Sequence, residues 1–292
     1  MGKAIKRYNH VILTPFPRAF RRAEKAQTNY EVRYPNGILR SLRSLRMTAK
    51  PFRNLSPLGG RMFPLFSKIM KSIDYLNEQY KIIQDDTLYR FTSDSILLSR
   101  FVTAQKGETV ADFCAGGGVV GLNFYAENTG VSSITFFEVQ EELAALCGES
   151  VALNGLNGCM KVECMRVQDI PAEYAEKFSL ILCNPPFERG GFENADPKKA
   201  VCRKELSLTL RELVASAKRC LKFGGRFVLC HRADRAAEVI YTLSDAGLEP
   251  KLMQFVSGRG GKEPYLVLIS AKKGAKAGVK VLSEAVNERS AT

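Results

Sequence analysis

Short apolar runs alternate with amphipathic stretches along the chain from about Ile73 onward. Each run is rich in β-branched and aromatic residues and is bounded by Gly, Pro, Asn or Asp, which is typical of buried strands. These runs predict strands over residues 109–113, 134–138, 162–167, 178–183, 226–230, 252–256 and 265–269. Apolar positions at helical spacing predict helices over residues 93–102, 119–127, 141–154, 204–221 and 233–246.

This alternation predicts a doubly wound α/β domain, with a mostly parallel sheet and helices on both faces. The last two predicted strands, residues 252–256 and 265–269, have no helix between them. A connection that short joins antiparallel neighbours, so we expect one antiparallel strand near the C-terminus.

Residues 1–70 do not share this pattern. They contain half of the prolines, and their only regularity is Leu-Arg at three-residue spacing over residues 39–46. Such a segment is expected to be largely disordered or loosely helical. The chain is therefore expected to comprise a basic extension over residues 1–69, a folded domain over residues 70–285 and a tail over residues 286–292.

The positive charge of the chain is concentrated in its N-terminal segment. The 292 residues carry a formal net charge of +13. Residues 1–70 hold 15 Lys and Arg but only two acidic residues, so the whole excess lies in the extension. The folded part is neutral, and any attraction to nucleic acid there must come from local patches. With 45% hydrophobic and 25% charged residues, the composition indicates a soluble globular protein without a membrane span or a secretory signal.

Cysteine and histidine usage excludes several kinds of chemistry. All eight cysteines fall between Cys114 and Cys230, mostly inside apolar runs and without a Cys-x-x-Cys pair. This pattern favours buried thiols in a reducing compartment over disulfides or a zinc site. His10 and His231 are the only histidines, so a histidine base or a histidine-rich metal site is nearly excluded.

A glycine-rich turn follows the predicted strand 109–113. Gly116, Gly118 and Gly121 form Gly-x-Gly-x-x-Gly at the start of a predicted helix. Such a turn lets the backbone approach a ligand and directs helix N-terminal N–H groups toward it. The spacing suits a dinucleotide and a nucleoside equally, and a tight turn without a ligand remains the alternative.

Two acids narrow the choice of ligand. Glu138 ends the second predicted strand, where a carboxylate can accept both hydroxyls of a ribose. Asp169 follows the third, where a carboxylate can accept from an adenine amine. Each acid alone would be an ordinary exposed residue. Together with the glycine turn on one sheet edge, they predict a pocket for an adenosine-containing cofactor.

The tetrapeptide Asn184-Pro-Pro-Phe187 closes the fourth predicted strand. Asn184 and Pro185 each precede a proline, which restricts both residues to extended conformations. Such a rigid turn can present the Asn184 side-chain oxygen and the Pro185 carbonyl to a planar amine, with Phe187 stacking on a flipped base. Methyl transfer to that amine needs no dedicated base. A structural proline turn is the alternative.

These residues carry a resemblance. The run from Asp112 to Gly121, the acids Glu138 and Asp169, and the tetrapeptide 184–187 resemble the motifs of amino-methylating S-adenosylmethionine methyltransferases, with Cys114 where Gly is usual. Further segments are similar to the valine-tRNA adenine-N6 methyltransferases, namely residues 82–84, 91–98, 138–140, 231–235, 248–251, 254–256, 262–264, 272–274 and 278–281. The resemblance covers roughly residues 70–285 and leaves out residues 1–69.

The resemblance implies a Rossmann-like methyltransferase fold and S-adenosyl-L-methionine as cofactor. It implies that Gly116 and Gly118 line the methionine and ribose side, that Glu138 binds the ribose diol and that Asp169 binds the adenine. Asp112 belongs to the same cofactor-binding motif.

The resemblance also implies the acceptor, which is N6 of the adenine at position 37 in a valine tRNA. Asn184, Pro185 and Phe187 would hold the target base, and residues 188–203 would form a mobile loop over it. Asp94 matches the segment that closes over the methionine end of the cofactor, with a helix N-cap as the alternative.

Basic residues outside these motifs have two interpretations each. His231, Arg232 and Arg235 support the structure or contact RNA. Candidate phosphate contacts near the C-terminus are Lys262, Lys272, Lys273 and Lys276, which are otherwise solvated lysines.

Other functions remain open at this point. The same turn suits a guanine N2 or adenine N6 in ribosomal RNA, or a protein glutamine. A nicotinamide dehydrogenase would use the glycine turn but leaves the tetrapeptide unexplained, and a non-catalytic RNA-binding module would rest on the extension alone. The partner expected from the resemblance is valine tRNA, bound by a cytoplasmic monomer without metal or membrane. Residues 1–69 are an RNA-binding arm, an Arg-rich targeting peptide, or a stretch upstream of a true start at Met70.

Overall fold

The computed structural model describes residues 30–33, 71–88, 90–186, 208–260 and 263–287. The first described elements form a small sheet of β1 (Tyr30–Arg33), β2 (Lys71–Tyr75) and β3 (Lys81–Asp85), in that order. β1 pairs with β2 in parallel, and β2 pairs with β3 antiparallel. The extension expected to be disordered thus contributes one described strand, and the rest of it lies outside the described residues.

In the described residues, five α-helices flank a second, larger sheet. They are α1 (Ser93–Phe101), α2 (Val119–Glu127), α3 (Glu141–Leu153), α4 (Leu210–Cys220) and α5 (Ala236–Asp245). α4 begins at a capping box. The Glu212 N–H donates to the Thr209 hydroxyl, and the Thr209 N–H donates to the Glu212 carboxylate. The prediction started this helix at residue 204, but residues 204–207 lie outside the described part of the chain.

Within the part of the chain that the structure describes, the larger sheet has nine strands. They are β4 (Glu108–Phe113), β5 (Val131–Glu138), β6 (Met160–Cys164), β7 (Phe178–Cys183), β8 (Leu221–Arg232), β9 (Leu248–Gly258), β10 (Pro264–Lys273), β11 (Lys280–Val281) and β12 (Ala285–Asn287). Eight of them follow the order β11-β9-β10-β8-β7-β4-β5-β6, and β12 pairs with β9.

One strand of this sheet runs against the others. β10 is antiparallel to both β8 and β9, whereas the pairs β7–β8, β4–β7, β4–β5 and β5–β6 are parallel. The predicted doubly wound α/β sheet with one antiparallel strand near the C-terminus is therefore confirmed. β12 includes Asn287, so the sheet continues into the segment that we expected to be a tail.

The sheet separates two apolar cores because side chains alternate along each strand. Phe136 packs into the core beneath α1, α2 and α3, and its neighbour Phe137 packs into the core beneath α4 and α5. Leu180 and Ile181 on β7 divide in the same way. A short continuous apolar run thus fills both cores, as expected for a parallel sheet covered on both faces. No helix in the described residues is long and apolar enough to cross a membrane.

Candidate active site

A cavity of about 450 Å³ opens where β4, β5 and β7 end. β3 and the start of α1 form its other wall, through Gln84, Thr92 and Asp94 among others. The carboxyl ends of neighbouring parallel strands meet at one sheet edge, and ligands of open α/β sheets bind there. The fold therefore brings the glycine-rich turn, Glu138 and Asn184 together, as the sequence predicted.

The glycine-rich turn reverses the chain between β4 and α2. Cys114, Gly116 and Gly118 all have positive φ, of 56°, 55° and 87°. A Cβ on Gly118 would lie 2.5 Å from the Cys147 sulfur on α3, so glycine is needed there for packing as well as for conformation. A Cβ on Gly116 would meet nothing within 4 Å. Because Gly116 also lines the cavity, the turn leaves backbone exposed to a ligand.

Asp112 lies beneath the turn and is not among the cavity-lining residues. The Gly121 N–H donates to its Oδ2 at 2.8 Å. Burial raises the pKa of Asp112 to about 7, with Glu138 adding to the rise and the Gly121 N–H opposing it. The resemblance grouped Asp112 with the cofactor-binding residues. Its contacts in the structure are those of a residue that holds the turn and α2 in place.

Glu138 is buried at the end of β5 and lines the cavity. Its two oxygens accept from the backbone N–H groups of Gly116, at 2.8 Å, and Gln140, at 2.9 Å. Burial raises the pKa of Glu138, and these N–H groups oppose the rise. A carboxylate has about four lone-pair sites, so Glu138 keeps acceptor capacity beyond its bonds to the backbone. This spare capacity, beside a turn without side chains, fits the ribose diol of an adenosine cofactor.

Asp169 does not line the cavity. The predicted strand 162–167 ends already at Cys164, and Asp169 falls in a 3₁₀ turn, Val167–Asp169. Its side chain is 63% exposed and lies 3.9 Å from Arg166. Residues 165–168 line this end of the cavity instead, and Gln168 among them supplies a carboxamide.

Asn184 sits at the end of β7 between two polar partners. Its Nδ2 donates to the Ser95 hydroxyl at 2.9 Å, and its Oδ1 accepts from the Cys230 thiol at 2.9 Å. Burial raises the pKa of the Cys230 thiol well above its ordinary value, so the thiol remains a donor. Pro185 is buried and lines the cavity beside Asn184. Phe187 and the predicted loop 188–203 lie outside the described residues.

Asp94 lines the cavity from the first turn of α1. The Tyr265 hydroxyl on β10 donates to its Oδ1 at 2.8 Å. Asn287 on β12 donates to the Tyr265 oxygen and to the Ser93 hydroxyl, both at 2.7 Å. Burial raises the pKa of Asp94, and the Tyr265 hydrogen bond partly offsets this rise. The C-terminal strands therefore hold the acid at the cavity wall.

Sequence reasoning assigned no role to the residues that orient Asn184 and Asp94, namely Ser95, Cys230, Tyr265 and Asn287. Ser95 carried a signal, since it stands one residue after Asp94 in a segment already singled out. The others come from strands far along the chain, which only the sheet order brings near.

The histidine and the basic residues considered for RNA or phosphate contact lie outside the cavity lining or outside the described residues. His231 is buried on β8 and is absent from the cavity lining, and its Nδ1 accepts from the Arg232 N–H at 2.9 Å. Arg235 pairs with Glu238 on α5. Lys273 pairs with Glu176, Lys272 and Lys276 are exposed, and Lys262 lies outside the described residues. No cluster of potential metal ligands occurs in the part of the chain that the structure describes.

The chain is similar to known proteins over this region. It is 26% identical over 197 residues to a tRNA1(Val) (adenine(37)-N6)-methyltransferase of Aeromonas salmonicida, covering 68% of this chain and 82% of that protein. It is 23% identical over 193 residues to a protein of the same name from Bacteroides thetaiotaomicron, covering 66% and 81%. Among solved structures, a predicted O-methyltransferase from Agrobacterium tumefaciens matches with a TM-score of 0.52 and 20% identity, over 66% of this chain and 86% of that one.

The structural match supports the Rossmann-like methyltransferase fold that the resemblance implied. The methyltransferase small domain family matches residues 92–246, which is more than half of the chain and includes the glycine turn, Glu138 and Asn184. The predictions of a methyltransferase and of its fold are therefore confirmed, and the chain belongs to the methyltransferase small domain family.

Proposed function

We propose that this chain transfers the methyl group of S-adenosylmethionine to N6 of adenine 37 in a valine tRNA. The observation that carries the proposal is the oriented Asn184 carboxamide, which opens onto the same cavity as the glycine turn and Glu138. An acceptor for a planar amine and a cradle for an adenosine cofactor thus share one space.

The cofactor half of the cavity suits an adenosine with a charged tail. Gly116 and Gly117 line it without side chains, and Glu138 has acceptors to spare for the ribose hydroxyls. When bound, S-adenosylmethionine supplies an electrophilic methyl group on a positively charged sulfur. The carboxylates of Asp94 and Glu138 are the acids of the described cavity wall, and they favour this cation over the uncharged sulfur of the product.

The acceptor half of the cavity is organised by Asn184. An amide oxygen has two lone pairs, and the Cys230 thiol uses one of them. The second is available to an N–H of the target amine, and the Pro185 carbonyl is the partner proposed for the other N–H. A hydrogen bond accepted from the amine increases the electron density on its nitrogen. This helps the nitrogen lone pair to displace the methyl group from the sulfur without a dedicated base, and the methylated nitrogen then releases one proton to water. The described cavity wall contains no histidine, in keeping with this proposal.

The choice of acceptor rests on the relatives, whose names specify adenine 37 of tRNA1(Val). The match to the Aeromonas salmonicida protein covers most of both chains, so the comparison includes the acceptor half of the site as well as the cofactor half. A tRNA substrate and seven free cysteines in the described residues are consistent with a reaction in the cytoplasm.

The test uses the purified full chain, radiolabelled S-adenosylmethionine and a transcribed valine tRNA. We expect label in N6-methyladenosine at position 37, and no label when that adenine is replaced by guanine. Asn184→Ala is expected to reduce the rate by about 100-fold or more, because the amine loses its oriented acceptor. Asn157→Ala, at an exposed asparagine, is the matched control and should retain the wild-type rate.

Ribosomal RNA and a protein extract serve as competing acceptors in the same assay. Label confined to either of them would contradict the tRNA assignment while leaving the methyltransferase assignment intact. Full activity of the Asn184→Ala variant would contradict the proposed role of the carboxamide.

A further inference from the structure

β3 passes directly over the glycine-rich turn. The Ile83 N–H donates to the Ser150 hydroxyl on α3 at 3.0 Å, which fixes the strand against that helix. The Ile83 carbonyl oxygen lies 4.0 Å from the position that a Cβ on Gly117 would occupy. The next residue along the strand, Gln84, lines the cavity. β3 is therefore a rigid part of the cavity wall.

The Gln84 carboxamide is held at one end only. Its side chain is 5% exposed, and its Nε2 donates to Asp74 on β2. A carboxylate accepts hydrogen bonds and does not donate them, so the nitrogen end must face Asp74. Oε1 is then the opposite end of the carboxamide. It is buried, and no group of the described residues donates to it.

A buried acceptor without a donor destabilises a fold, and in native structures water, an ion or a ligand usually meets such an atom. The Asp74 carboxylate on Nε2 also polarises the amide, which increases the negative charge on Oε1. An oxygen in this state binds a cationic donor best.

We infer that Gln84 Oε1 accepts a hydrogen bond from the α-ammonium group of S-adenosylmethionine, an inference that rests on the proposed function. The cofactor has three kinds of donor, which are the ribose hydroxyls, the adenine amine and the ammonium group. Glu138 has the spare acceptors for the hydroxyls. The ammonium group is the only charged donor, and the Asp94 carboxylate in the same cavity adds to the attraction for a cation.

The test compares ligands that differ only in the tail of the cofactor. Isothermal titration of the full chain measures the Kd of S-adenosylhomocysteine, of its decarboxylated analogue, which keeps the amine, and of 5′-methylthioadenosine, which has neither group. Gln84→Met preserves the length of the side chain and removes the acceptor. Gln79→Met, at an exposed position of the same β2–β3 hairpin, is the matched control.

Gln84→Met is expected to weaken both amine-containing ligands by about tenfold or more and to leave methylthioadenosine within about twofold of wild type. Gln79→Met should leave all three unchanged. Equal weakening of all three ligands, or of none, would overturn the inference, as would a loss limited to the ligand with the carboxylate.

Thermal unfolding without ligand shows whether Gln84→Met folds. Should it fail to fold, Gln84→Asn retains the amide but withdraws it from the cavity, and the same selective loss is expected. A wild-type protein that binds none of the three ligands would contradict the proposed function itself. An unselective effect of both variants in a protein that does bind them contradicts only the role of Gln84.

Discussion

The Cys230 thiol donates a hydrogen bond to Asn184 Oδ1 at 2.9 Å, from β8 to the end of the adjacent strand β7. Together with the Ser95 hydroxyl on Nδ2, this bond fixes which end of the carboxamide is the acceptor. A cysteine 46 residues away in the chain therefore sets the orientation of the residue proposed to bind the target amine.

Cys230→Val should lower kcat by roughly 3- to 10-fold, the effect of losing one neutral hydrogen bond, with little change in cofactor Kd. Cys230→Ser keeps a donor on Oδ1 and should restore most of the rate. Steady-state kinetics on valine tRNA, with cofactor affinity measured separately, make the comparison. Equal impairment of the two variants would indicate a packing role only.

Loss of the Tyr265–Asp94 hydrogen bond should shift the pH dependence of cofactor affinity. The hydroxyl lowers an Asp94 pKa that burial raises, so Tyr265→Phe should raise this pKa further. Asp94 is charged above its pKa, and affinity for the cationic cofactor should fall as the pH drops through that value. In Tyr265→Phe this fall should occur at higher pH than in wild type. Binding titrations across pH check it, with exposed Tyr241→Phe as the matched control, and coincident profiles for Tyr265→Phe and wild type would contradict the prediction.

The raised pKa of Asp112 should make the free energy of unfolding depend on pH. Its pKa is about 7 in the folded protein and 3.8 as the ordinary value, so between these values the folded state holds a proton that the unfolded state lacks. Its contribution to stability is therefore complete below pH 4 and is lost as the pH rises toward 7, by at most about 1.4 kcal/mol per pH unit.

Asp112→Asn retains an acceptor for the Gly121 N–H and removes this titration. The free energy of unfolding of the variant, relative to that of wild type, should therefore increase as the pH is raised from 5 to 8. Chemical unfolding of both proteins at several pH values measures the difference. A constant difference between the two proteins would show that Asp112 does not titrate in this range.

Alanine substitutions at two positions of the glycine turn should have different effects, one mainly on folding stability and the other mainly on cofactor binding. Gly118→Ala places a Cβ against the Cys147 sulfur at positive φ, so it should cost about 2 kcal/mol or more of folding stability. Cys147→Ala in the same protein should recover part of this loss. Gly116→Ala meets no neighbour and should cost about 1 kcal/mol, yet it should weaken cofactor binding because the methyl group enters the cavity.

Thermal unfolding and cofactor titration on the same samples separate the two effects. A Gly116→Ala protein that binds cofactor as wild type does would show that the cofactor leaves this part of the wall uncovered.

Periodicity predicted most of the large sheet because its strands and helices are long, apolar and punctuated by glycine or proline. The sequence did not predict four short strands. Two of them form the β2–β3 hairpin, Lys71–Tyr75 and Lys81–Asp85, and the other two are Lys280–Val281 and Ala285–Asn287. These strands are short and mixed in polarity, and their pairing with distant partners, rather than a local pattern, defines them.

The site was predictable to the extent that strand ends define it. Glu138 and Asn184 each end a strand, so both were expected at one edge of the sheet, where the structure places them. Asp169 was expected there too, but the strand before it ends earlier and a 3₁₀ turn leaves the side chain in solvent. Partners such as Cys230 and Asn287 required the strand order, which local patterns do not contain.

The position of β10 between β8 and β9 has a consequence for biosynthesis. β9 leaves the ribosome before β10, but it cannot join the sheet until β10 has been inserted beside β8. Until then, both β8 and β9 present unpaired strand edges, which are prone to associate with other chains. Tyr265 reaches Asp94 from β10 itself, and Asn287 follows later still. Nascent or prematurely terminated chains that end before β10 should therefore be aggregation-prone, and they lack the Tyr265 hydroxyl that bonds to Asp94.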